Sequence, residues 1–475
     1  MRQSEFLQDK VSEEADSKQT KREFVKEHEP GEGYRVIDDG MPPITLTFEQ
    51  QAVFEMMESS QDNIFVTGKA GTGKSVLLKY FVKNTSKKNV IVLAPTGVAA
   101  IQAQGQTIHS FFHFKTHLLD PQEVKVSHQV ATIIRKASAF IIDEVSMVRA
   151  DLMEAINRCC QQAKNNIRPF GGIQIIVFGD MHQLPPVVRT EEEKQFLDYR
   201  FGGHFFFDVP AFKDGNLKVF ELVNIQRQKD DLFKDVLNAV RTGFVTRATL
   251  DIFNSRYGIP IPQDNVLMLA TTNRIVDDKN EEEFSLLRTQ EYVFQAEIDG
   301  DEKKVIRAAD EQLRLKVGAQ IMMLRNDKAK RWANGTLCTV AALSENSVAV
   351  RIDGEEHEVE QATWETYNYT FNKAKGEITK EVVASFTQYP IRLAWALTIH
   401  KSQGQTYKTI NVDLGDRAFA HGQAYVALSR CQTLEGLYLT RPLRKNDVIV
   451  DERIEQFIAH HLTPIPLLRQ DLFCQ

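Results

Sequence analysis

The segment Gly68-Lys69-Ala70-Gly71-Thr72-Gly73-Lys74-Ser75 decides the fold, because it is a complete G-x-x-x-x-G-K-S/T phosphate loop. Residues 63–67 before it are apolar and β-branched and predict a buried strand, and residues 76–82 after it predict the first turns of a helix. Glycines let backbone N–H groups turn towards phosphates, and the helix N-terminus adds partial positive charge. We therefore expect a nucleoside triphosphate here, with Lys74 at the β- and γ-phosphates and the Ser75 hydroxyl on Mg²⁺.

The composition is that of an ordinary globular protein with more than one domain. The chain has 475 residues, of which 42% are hydrophobic and 26% charged. No apolar run reaches the roughly 18–20 residues of a membrane span, and the acid-rich N-terminus lacks the features of a signal or transit peptide. The five cysteines show no metal or disulfide spacing, which predicts reduced thiols in a cytoplasmic protein.

The net charge of −6 does not by itself indicate nucleic-acid binding, for which a strongly basic domain is the usual sign. A locally basic groove with stacking surfaces would nevertheless suffice for a protein that binds a single strand.

The chain divides into segments of different texture. Residues 1–40 are charged and poor in large apolar residues and predict a mobile tail, with a docked helix near 24–29 as the alternative. From Leu46 onwards, apolar strands alternate with helical stretches, which predicts an α/β fold with a parallel sheet covered on both faces. The strands expected in the first half are 63–67, 90–94, 139–143 and 174–178, and those expected in the second half include 266–270 and 409–412.

Residues 313–390 differ from both halves. Short alternating runs are separated there by turn signals such as Asn334-Gly335 and Asp353-Gly354. This pattern predicts a small β-barrel inserted into the second half.

Two acids follow one of the predicted strands. The apolar run 139–142 ends in Asp143 and Glu144, roughly 70 residues after the phosphate loop. Asp143 is placed to hold Mg²⁺, and Glu144 is placed to orient or activate the attacking water.

A glutamine follows another predicted strand. Gln183 lies in the run 179–186, which ends in Pro185-Pro186. At the carboxyl edge of a sheet, such a glutamine can sense the γ-phosphate and pass its state to the proline turn. A merely stiffened loop is an equally good interpretation of this segment alone.

Two polar segments suggest contacts with a nucleic-acid strand. Thr96, His109 and Ser110 could contact a phosphodiester backbone, with His109 or Phe111 as a stacking face. The second segment, 397–406, is dense in hydrogen-bond donors at a turn that faces the expected cleft. A lone histidine is more often structural, so only the surrounding motifs favour these roles.

Arg227 and Arg430 both belong to the second half. An arginine supplied from across a cleft stabilises charge on the transferring phosphoryl group. Two such residues would make hydrolysis depend on domain closure, whereas a surface ion pair is the alternative for either one.

Taken together, these motifs resemble those of superfamily-one helicases with 5′-to-3′ polarity, and more closely the PIF-type (petite integration frequency) DNA helicases. The runs 94–97, 151–158, 168–174, 179–180 and 398–404 carry the resemblance, which covers roughly residues 46–440. The short tail departs from the long N-terminal regions of eukaryotic members and favours a bacterial or phage source.

The resemblance implies two RecA-like parallel-sheet motor domains, with a wedge insertion in the first and an SH3-like β-barrel in the second. The implied division is 41–215 for the first motor domain, 113–129 for the wedge, 216–334 with 386–475 for the second motor domain, and 335–385 for the barrel. It also implies that Gln50 reads the adenine and that Arg227 and Arg430 are arginine fingers.

The site residues expected from motifs and resemblance form two groups. The residues expected at ATP are Gln50, Gly68, Ala70, Gly71, Thr72, Gly73, Lys74, Ser75 and Gly404, with Asp143, Glu144, Gln183, Arg227 and Arg430 for catalysis. The residues expected at DNA are Pro95, Thr96, Gly97, His109, Ser110, Pro186, Thr398, His400, Lys401 and Ser402.

The function expected from this sequence is an ATP- and Mg²⁺-dependent 5′-to-3′ DNA helicase. Its expected partners are single-stranded DNA and duplex or G-quadruplex DNA, with no membrane, and it is expected to be monomeric when free. One alternative is a RecD-like translocase in a nuclease complex, which should lack the signature between Asp151 and Gly172. The other is a phosphate-loop ATPase that switches a protein partner and ignores DNA.

Overall fold

The computed structural model describes residues 45–69, 71–115, 117–213, 217–224, 230–262, 266–372 and 377–465. The predicted tail 1–40, Ala70 and the proposed finger Arg227 lie outside the described residues. Within the described part of the chain, no helix has both the length and the apolar character that a membrane crossing requires.

The first half is built on a parallel sheet of six strands in the order β3-β2-β4-β5-β1-β6. The strands are β1 (Asn63–Gly68), β2 (Val90–Ala94), β3 (Gln106–Thr107), β4 (Ala139–Ile142), β5 (Gln174–Phe178) and β6 (Leu217–Leu222). The predicted parallel sheet is confirmed. Because β6 pairs with β1, the expected domain boundary at residue 215 falls before the last strand of the first sheet, and the structure moves it beyond Leu222.

Helices cover both faces of this sheet. Because successive side chains of a strand point to opposite faces, each buried strand contributes to two different apolar cores. In β1, Phe65 belongs to one apolar cluster, whereas Ile64 and Val66 belong to another. The helices of this half are α1 (Phe48–Ser59), α2 (Lys74–Asn84), α3 (Gly97–Gln102), α4 (Ile108–Phe112), α5 (His128–Lys136), α6 (Ala150–Lys164), α7 (Glu191–Phe201) and α8 (Pro210–Lys213).

The expected wedge stretch, 113–129, is held against α6. Asp151 accepts a hydrogen bond from the Leu119 backbone at 2.9 Å, and Gln162 bonds the backbone of Val124 and Val126 at 2.8 and 3.0 Å. Its described residues up to Ser127 form no helix or strand, and α5 begins at His128.

The second half begins with α9 (Asp231–Thr242), α10 (Arg247–Asn254), β7 (Leu267–Ala270) and α11 (Asn273–Leu286). The chain then enters a region of antiparallel strands. These are β8 (Glu291–Gln295), β9 (Glu297–Gly300), β10 (Gln312–Lys316), β11 (Gln320–Met323), β12 (Leu337–Leu343), β13 (Val348–Ile352), β14 (Glu355–Val359), β15 (Ala362–Asn372), β16 (Glu377–Gln388) and β17 (Ile391–Leu393).

The inserted strands form a five-stranded sheet, β14-β13-β12-β11-β17, a three-stranded sheet, β15-β16-β9, and the pair β10-β8. Strands on both sides of the expected barrel, 335–385, complete these sheets. The β15–β16 hairpin also reaches the first half, where the Val92 backbone N–H donates to the Tyr369 hydroxyl at 3.0 Å. Tyr369 and Ile378 are buried in the core of that half.

The chain then returns to the second sheet, which is parallel in the order β18-β7-β19-β20. The remaining elements are β18 (Ala396–Thr398), β19 (Ile410–Asp413), α12 (Gln423–Leu428), β20 (Leu437–Leu439) and α13 (Glu452–His461). A second parallel sheet is thus confirmed.

The last helix does not remain with the second half. Phe457 of α13 stacks on Phe207 with ring centroids 4.0 Å apart, and Thr463 donates to the Val219 carbonyl of β6 at 2.7 Å. Ile454, Phe457 and Ile458 are buried in the first core. The expected assignment of 386–475 to the second half is therefore corrected for α13.

Candidate nucleotide and nucleic-acid site

The phosphate loop joins β1 to α2 at the carboxyl edge of the first sheet. Gly73 takes a left-handed conformation, φ 83°, at the start of α2, and no side chain caps this helix end. A Cβ on Gly68 would lie 2.5 Å from the Leu222 carbonyl oxygen, so glycine is required there. Lys74 Nζ donates to the Gly68 and Lys69 carbonyls at 2.7 and 3.1 Å, which curls the side chain over the loop.

Gln50 lies against the same loop and is almost fully buried. Its Nε2 donates to the Thr72 and Gly73 carbonyls at 3.3 and 3.4 Å. Its Oε1 accepts from the Thr47 backbone at 2.9 Å and so completes the capping box of α1. The sequence Thr47 to Gln50 therefore anchors a side chain beside the nucleotide loop.

Asp143 and Glu144 end β4 at the same edge. The Asp143 backbone N–H donates to the Leu93 carbonyl at 3.0 Å, which extends the pairing of β4 with β2. Glu144 then adopts a left-handed conformation, φ 50°, and its backbone N–H donates to Asp143 Oδ1 at 2.9 Å. The chain therefore turns sharply directly after the two acids.

Burial disfavours the negative charges of the acidic pair. Burial raises the pKa of Asp143 to about 7, assisted by the charge of Glu144 and opposed by Lys74 and Lys79. Burial also raises the pKa of Glu144, against the charges of Lys74 and Arg430. In the described part of the chain, neither carboxylate belongs to an ion pair, so a divalent cation held by Asp143 fits the charge of the site.

Gln183 is buried beside Asp180, which follows β5 and is 1% exposed. Gln183 Nε2 lies 3.4 Å from Asp180 Oδ2, and the Tyr425 hydroxyl lies 3.4 Å from the same oxygen. Arg241 Nη2 lies 3.5 Å from Asp180 Oδ1. Burial would raise the pKa of Asp180, but the positive charge of Arg241 and hydrogen bonding to His182 hold it far below its usual range.

Arg430 is 1% exposed and is held by its own half. Its Nε donates to the Val426 carbonyl at 2.9 Å, its Nη1 to the Gln405 carbonyl at 3.1 Å, and its Nη2 to the Ser429 hydroxyl at 3.0 Å. Burial lowers the pKa of Arg430, and the nearby charges of Glu144 and Asp180 oppose this. The alternative of an exposed ion pair therefore does not describe this arginine.

The residues expected at DNA in the first half lie together after β2 and at the start of α4. Thr96 caps α3 by accepting from the Ala99 backbone at 3.2 Å. A Cβ on Gly97 would lie 2.7 Å from the Ile306 side chain, so the inserted region approaches this surface closely. All five residues of this group are half-buried: Pro95, Thr96, Gly97, His109 and Ser110.

The residues expected at DNA in the second half divide into two classes. Thr398 and Ser402 are buried and shape the turn: the Thr398 hydroxyl accepts from the Lys401 backbone at 3.3 Å, and the Ser402 hydroxyl donates to a carbonyl of the turn at 2.8 Å. Lys401 and Gly404 are exposed, and His400 is half-buried. Only the second class presents surface to a ligand in this arrangement.

Pro186, which is expected to line the strand path, is also buried in this structure. Its neighbour Val187 is 55% exposed. The proline turn therefore offers the valine, and not Pro186, as contact surface in this structure.

Sequence reasoning assigned no role to Asp180, Arg241 or Tyr425. Asp180 belongs to the run 179–186, but nothing in that run indicated that its side chain meets Tyr425. Arg241 belongs to no motif, and its only local signal is a position just before the Gly243 that ends α9.

The fold and the site define a class of protein, a nucleotide-driven motor with two RecA-like halves. The first sheet carries the phosphate loop and the acidic pair at its carboxyl edge, and the second supplies a buried arginine whose charge reaches Glu144.

Comparison with known proteins gives the family. The PIF1-like helicase profile matches residues 45–250, and that of the 2B domain of DNA helicase Pif1 matches residues 304–343. The ATP-dependent DNA helicase Pif1 of Bdellovibrio bacteriovorus is 32% identical over 428 residues, covering 87% of this chain and 92% of that protein. The corresponding protein of Danio rerio is 34% identical over 408 residues, covering 82% of this chain and 60% of that protein. The chain belongs to the PIF1-like helicase family.

Solved structures agree with this. Bacteroides Pif1 in complex with ADP-AlF4 matches with a TM-score of 0.82 and 36% identity, over 88% of this chain and 97% of that one. Bacteroides Pif1 bound to single-stranded DNA matches with a TM-score of 0.64 and 37% identity, over 88% and 97% of the two chains. The arrangement of the present chain is therefore nearer to the first of these two structures.

Proposed function

We propose that this chain is an ATP-dependent DNA helicase that moves 5′ to 3′ along single-stranded DNA and unwinds duplex DNA. One observation supports this most strongly: the charge of a buried arginine in the other motor half reaches Glu144, at the sheet edge that carries the phosphate loop. The relatives named above are ATP-dependent DNA helicases, and a solved relative binds single-stranded DNA.

ATP is proposed to bind where the backbone N–H groups of the α2 N-terminus and the Lys74 side chain meet the phosphates. Ser75 and Asp143 are the residues that would hold Mg²⁺, which would offset charge on the β- and γ-phosphates. Glu144 would orient the attacking water and accept its proton, and its raised pKa suits that task. Gln50 beside the loop would contact the adenine, and the exposed Gly404 would lie at the nucleotide across the cleft.

Turnover is proposed to require closure of the two halves. Arg430, now bound to carbonyls of its own half, would exchange these partners for the γ-phosphate, and Arg227 would act alongside it. The moving halves are proposed to be residues 41–215 and, as the second half, residues 216–334 together with 386–475. As described above, β6 belongs to the first half and α13 packs in the core of the first half. The stretch 113–129 is proposed as the wedge and 335–385 as the centre of the barrel.

The single strand is proposed to cross the carboxyl edges of both sheets. It would contact the group around Thr96 and His109 in the first half and His400 and Lys401 in the second. We also propose G-quadruplex DNA as a further substrate, a monomeric free state and a cytoplasmic location.

Strand displacement with 5′-tailed and 3′-tailed duplexes tests this function. Unwinding of the 5′-tailed duplex alone, dependent on ATP and Mg²⁺ and absent in Lys74→Ala, is expected. Unwinding from the 3′ tail would contradict the polarity. ATP hydrolysis that DNA does not stimulate would instead favour the protein-switch alternative.

A further inference from the structure

The helix that carries Tyr425 also positions Arg430. All six residues of α12 are buried, and Arg430 follows its end by two residues while bonding back to the Val426 carbonyl at 2.9 Å. The Tyr425 hydroxyl lies 3.4 Å from Asp180 Oδ2 in the first half. Because the helix is short and tightly packed, a displacement of Arg430 also displaces the Tyr425 hydroxyl.

A second group of the second half reaches the same carboxylate. Arg241 is 5% exposed and inserts its guanidinium between two acids of the first half, at 3.5 Å from Asp180 Oδ1 and 3.2 Å from Glu221 Oε1. Its Nε has no hydrogen-bond partner in the described part of the chain. The Arg241 charge also contributes, after burial, to the lowered pKa of Lys69 in the phosphate loop.

Asp180 is therefore shared between Gln183 and His182 of its own half and two groups of the other. Its Oδ2 lies 3.4 Å from both Gln183 Nε2 and the Tyr425 hydroxyl. Its backbone carbonyl also accepts from the Gln183 N–H at 3.0 Å. The direction of the Gln183 amide thus depends on how the second half holds this carboxylate.

We infer that Tyr425 and Arg241 are positioning residues that act through Asp180 on the Gln183 amide. They make the orientation of Gln183 depend on the position of the second half. The inference rests on the proposed ATPase function and on the expectation from the sequence that Gln183 senses the γ-phosphate. Closure of the cleft then moves Arg430 to the phosphate and redirects Gln183 in the same step, because α12 contains Tyr425 and its Val426 carbonyl holds Arg430.

Tyr425→Phe tests the inference with least disturbance, since it removes one hydroxyl and keeps the buried ring. We expect the DNA-stimulated kcat for ATP to fall about fivefold, the size expected when one long hydrogen bond to a charged group is lost. The KM for ATP, the basal rate and the Tm should stay close to wild type. Tyr389→Phe is the matched control, because its buried hydroxyl bonds the Asn346 carbonyl in the inserted region.

A double-mutant cycle with Gln183→Ala separates positioning from a structural role. If Tyr425 acts through Gln183, adding Tyr425→Phe to Gln183→Ala should cause no further loss of DNA-stimulated kcat. Arg241→Lys, which keeps the charge and loses the planar fork, should lower the same parameter and also show no additional effect in the Gln183→Ala background.

The possible outcomes separate the claims. Additive losses, or a Tyr425→Phe variant that keeps full DNA stimulation, would overturn the inference. The inference would also be overturned if Tyr389→Phe lost as much DNA-stimulated kcat as Tyr425→Phe, or if the basal rate of Tyr425→Phe fell equally. In either case the effect would be structural. If Gln183→Ala itself retains full DNA-stimulated turnover, the proposed role of Gln183 fails first.

Discussion

Arg430 Nη1 lies 3.1 Å from the carbonyl oxygen of Gln405, so the buried guanidinium is bound by backbone oxygens of its own half. Its other hydrogen bonds also go to groups of that half, although Glu144 and Asp180 across the cleft affect its pKa. A buried cation bound to neutral carbonyls can exchange them for a phosphate at lower cost than one locked to a carboxylate. This relationship supplies the first prediction.

Arg430→Ala should leave ATP affinity within a modest factor and remove most DNA-stimulated turnover. Arginines supplied in trans contribute about 10³–10⁵ in turnover in GTPases, which sets the order of magnitude. The basal rate should fall less, because the open state uses the arginine little. ATPase rates at saturating ATP, with and without a single-stranded oligonucleotide, measure the effect, and the exposed Arg288→Ala serves as control. Full DNA stimulation in the mutant would contradict the closure mechanism.

Arg227→Ala should show the same pattern, on the strength of the family resemblance. The measurement is the same pair of ATPase rates. If only one of the two arginine variants loses DNA stimulation, the other arginine is not a finger.

Glu144→Gln should bind ATP and lose turnover, because the phosphate contacts remain while the water loses its base. Loss of a general base lowers rates by about 10²–10⁴-fold. Titration with a fluorescent nucleotide and a single-turnover hydrolysis assay would separate the two steps. Lys74→Ala is the contrasting variant, since it should abolish hydrolysis through loss of the phosphate clamp. Steady-state hydrolysis by either folded mutant near the wild-type rate would remove these residues from the site.

His109→Ala should weaken single-strand binding by about 1–3 kcal/mol if the ring stacks on a base. Burial, and then the charge of Arg149, lowers the pKa of His109 below its ordinary 6.5, so the ring is neutral at pH 7. The salt dependence of binding should therefore stay unchanged in this variant. His400, whose pKa is also lowered by burial, should behave in the same way.

Lys401→Ala provides the opposite pattern, because Lys401 is exposed and charged. Loss of one phosphate contact should reduce the slope of log affinity against log salt by about 0.7 for a single strand. Fluorescence-anisotropy titrations at several salt concentrations measure both patterns, with His460→Ala as a surface control. Unchanged affinity in both histidine variants would place the strand path elsewhere.

The pair His182–Glu455 should make stability depend on pH. His182 Nε2 lies 2.6 Å from Glu455 Oε1 and thus links the loop after β5 to α13. Burial lowers the pKa of His182, but hydrogen bonds to Asp180 and Glu455 together raise it above 6.5. The hydrogen bond to His182 lowers the pKa of Glu455 below 4.5. Arg241 and His421 also face this group.

The sign follows from these two shifts. The His182 contribution is fully present below pH 6.5 and is lost as pH rises through the raised pKa, whereas that of Glu455 is lost as pH falls below 4.5. The Tm difference between wild type and Glu455→Gln should therefore be largest between these values and shrink towards pH 9. Glu452→Gln on the same helix is the control. A difference that does not vary with pH would show that the pair is not ionic.

The sequence alone was sufficient for the class of fold, for the nucleotide loop and for the family. Phosphate-loop spacing, β-branched strands and the acids after a strand are local features, and local chain geometry largely determines what each can form. The strands expected at 90–94 and 174–178 were accordingly recovered with these bounds, and the strand expected at 63–67 extends by one residue to Gly68.

Only the tertiary structure decided which distant groups meet. Tyr425 and Asp180 are 245 residues apart, and no local pattern relates a tyrosine in one half to a carboxylate in the other. The return of α13 to the first core and the burial of Pro186 likewise depend on how whole elements pack, since burial is a property of the assembled surfaces. The chemistry of the site can therefore be predicted from short motifs, whereas the coupling between its halves becomes visible only once the two sheets are placed against each other.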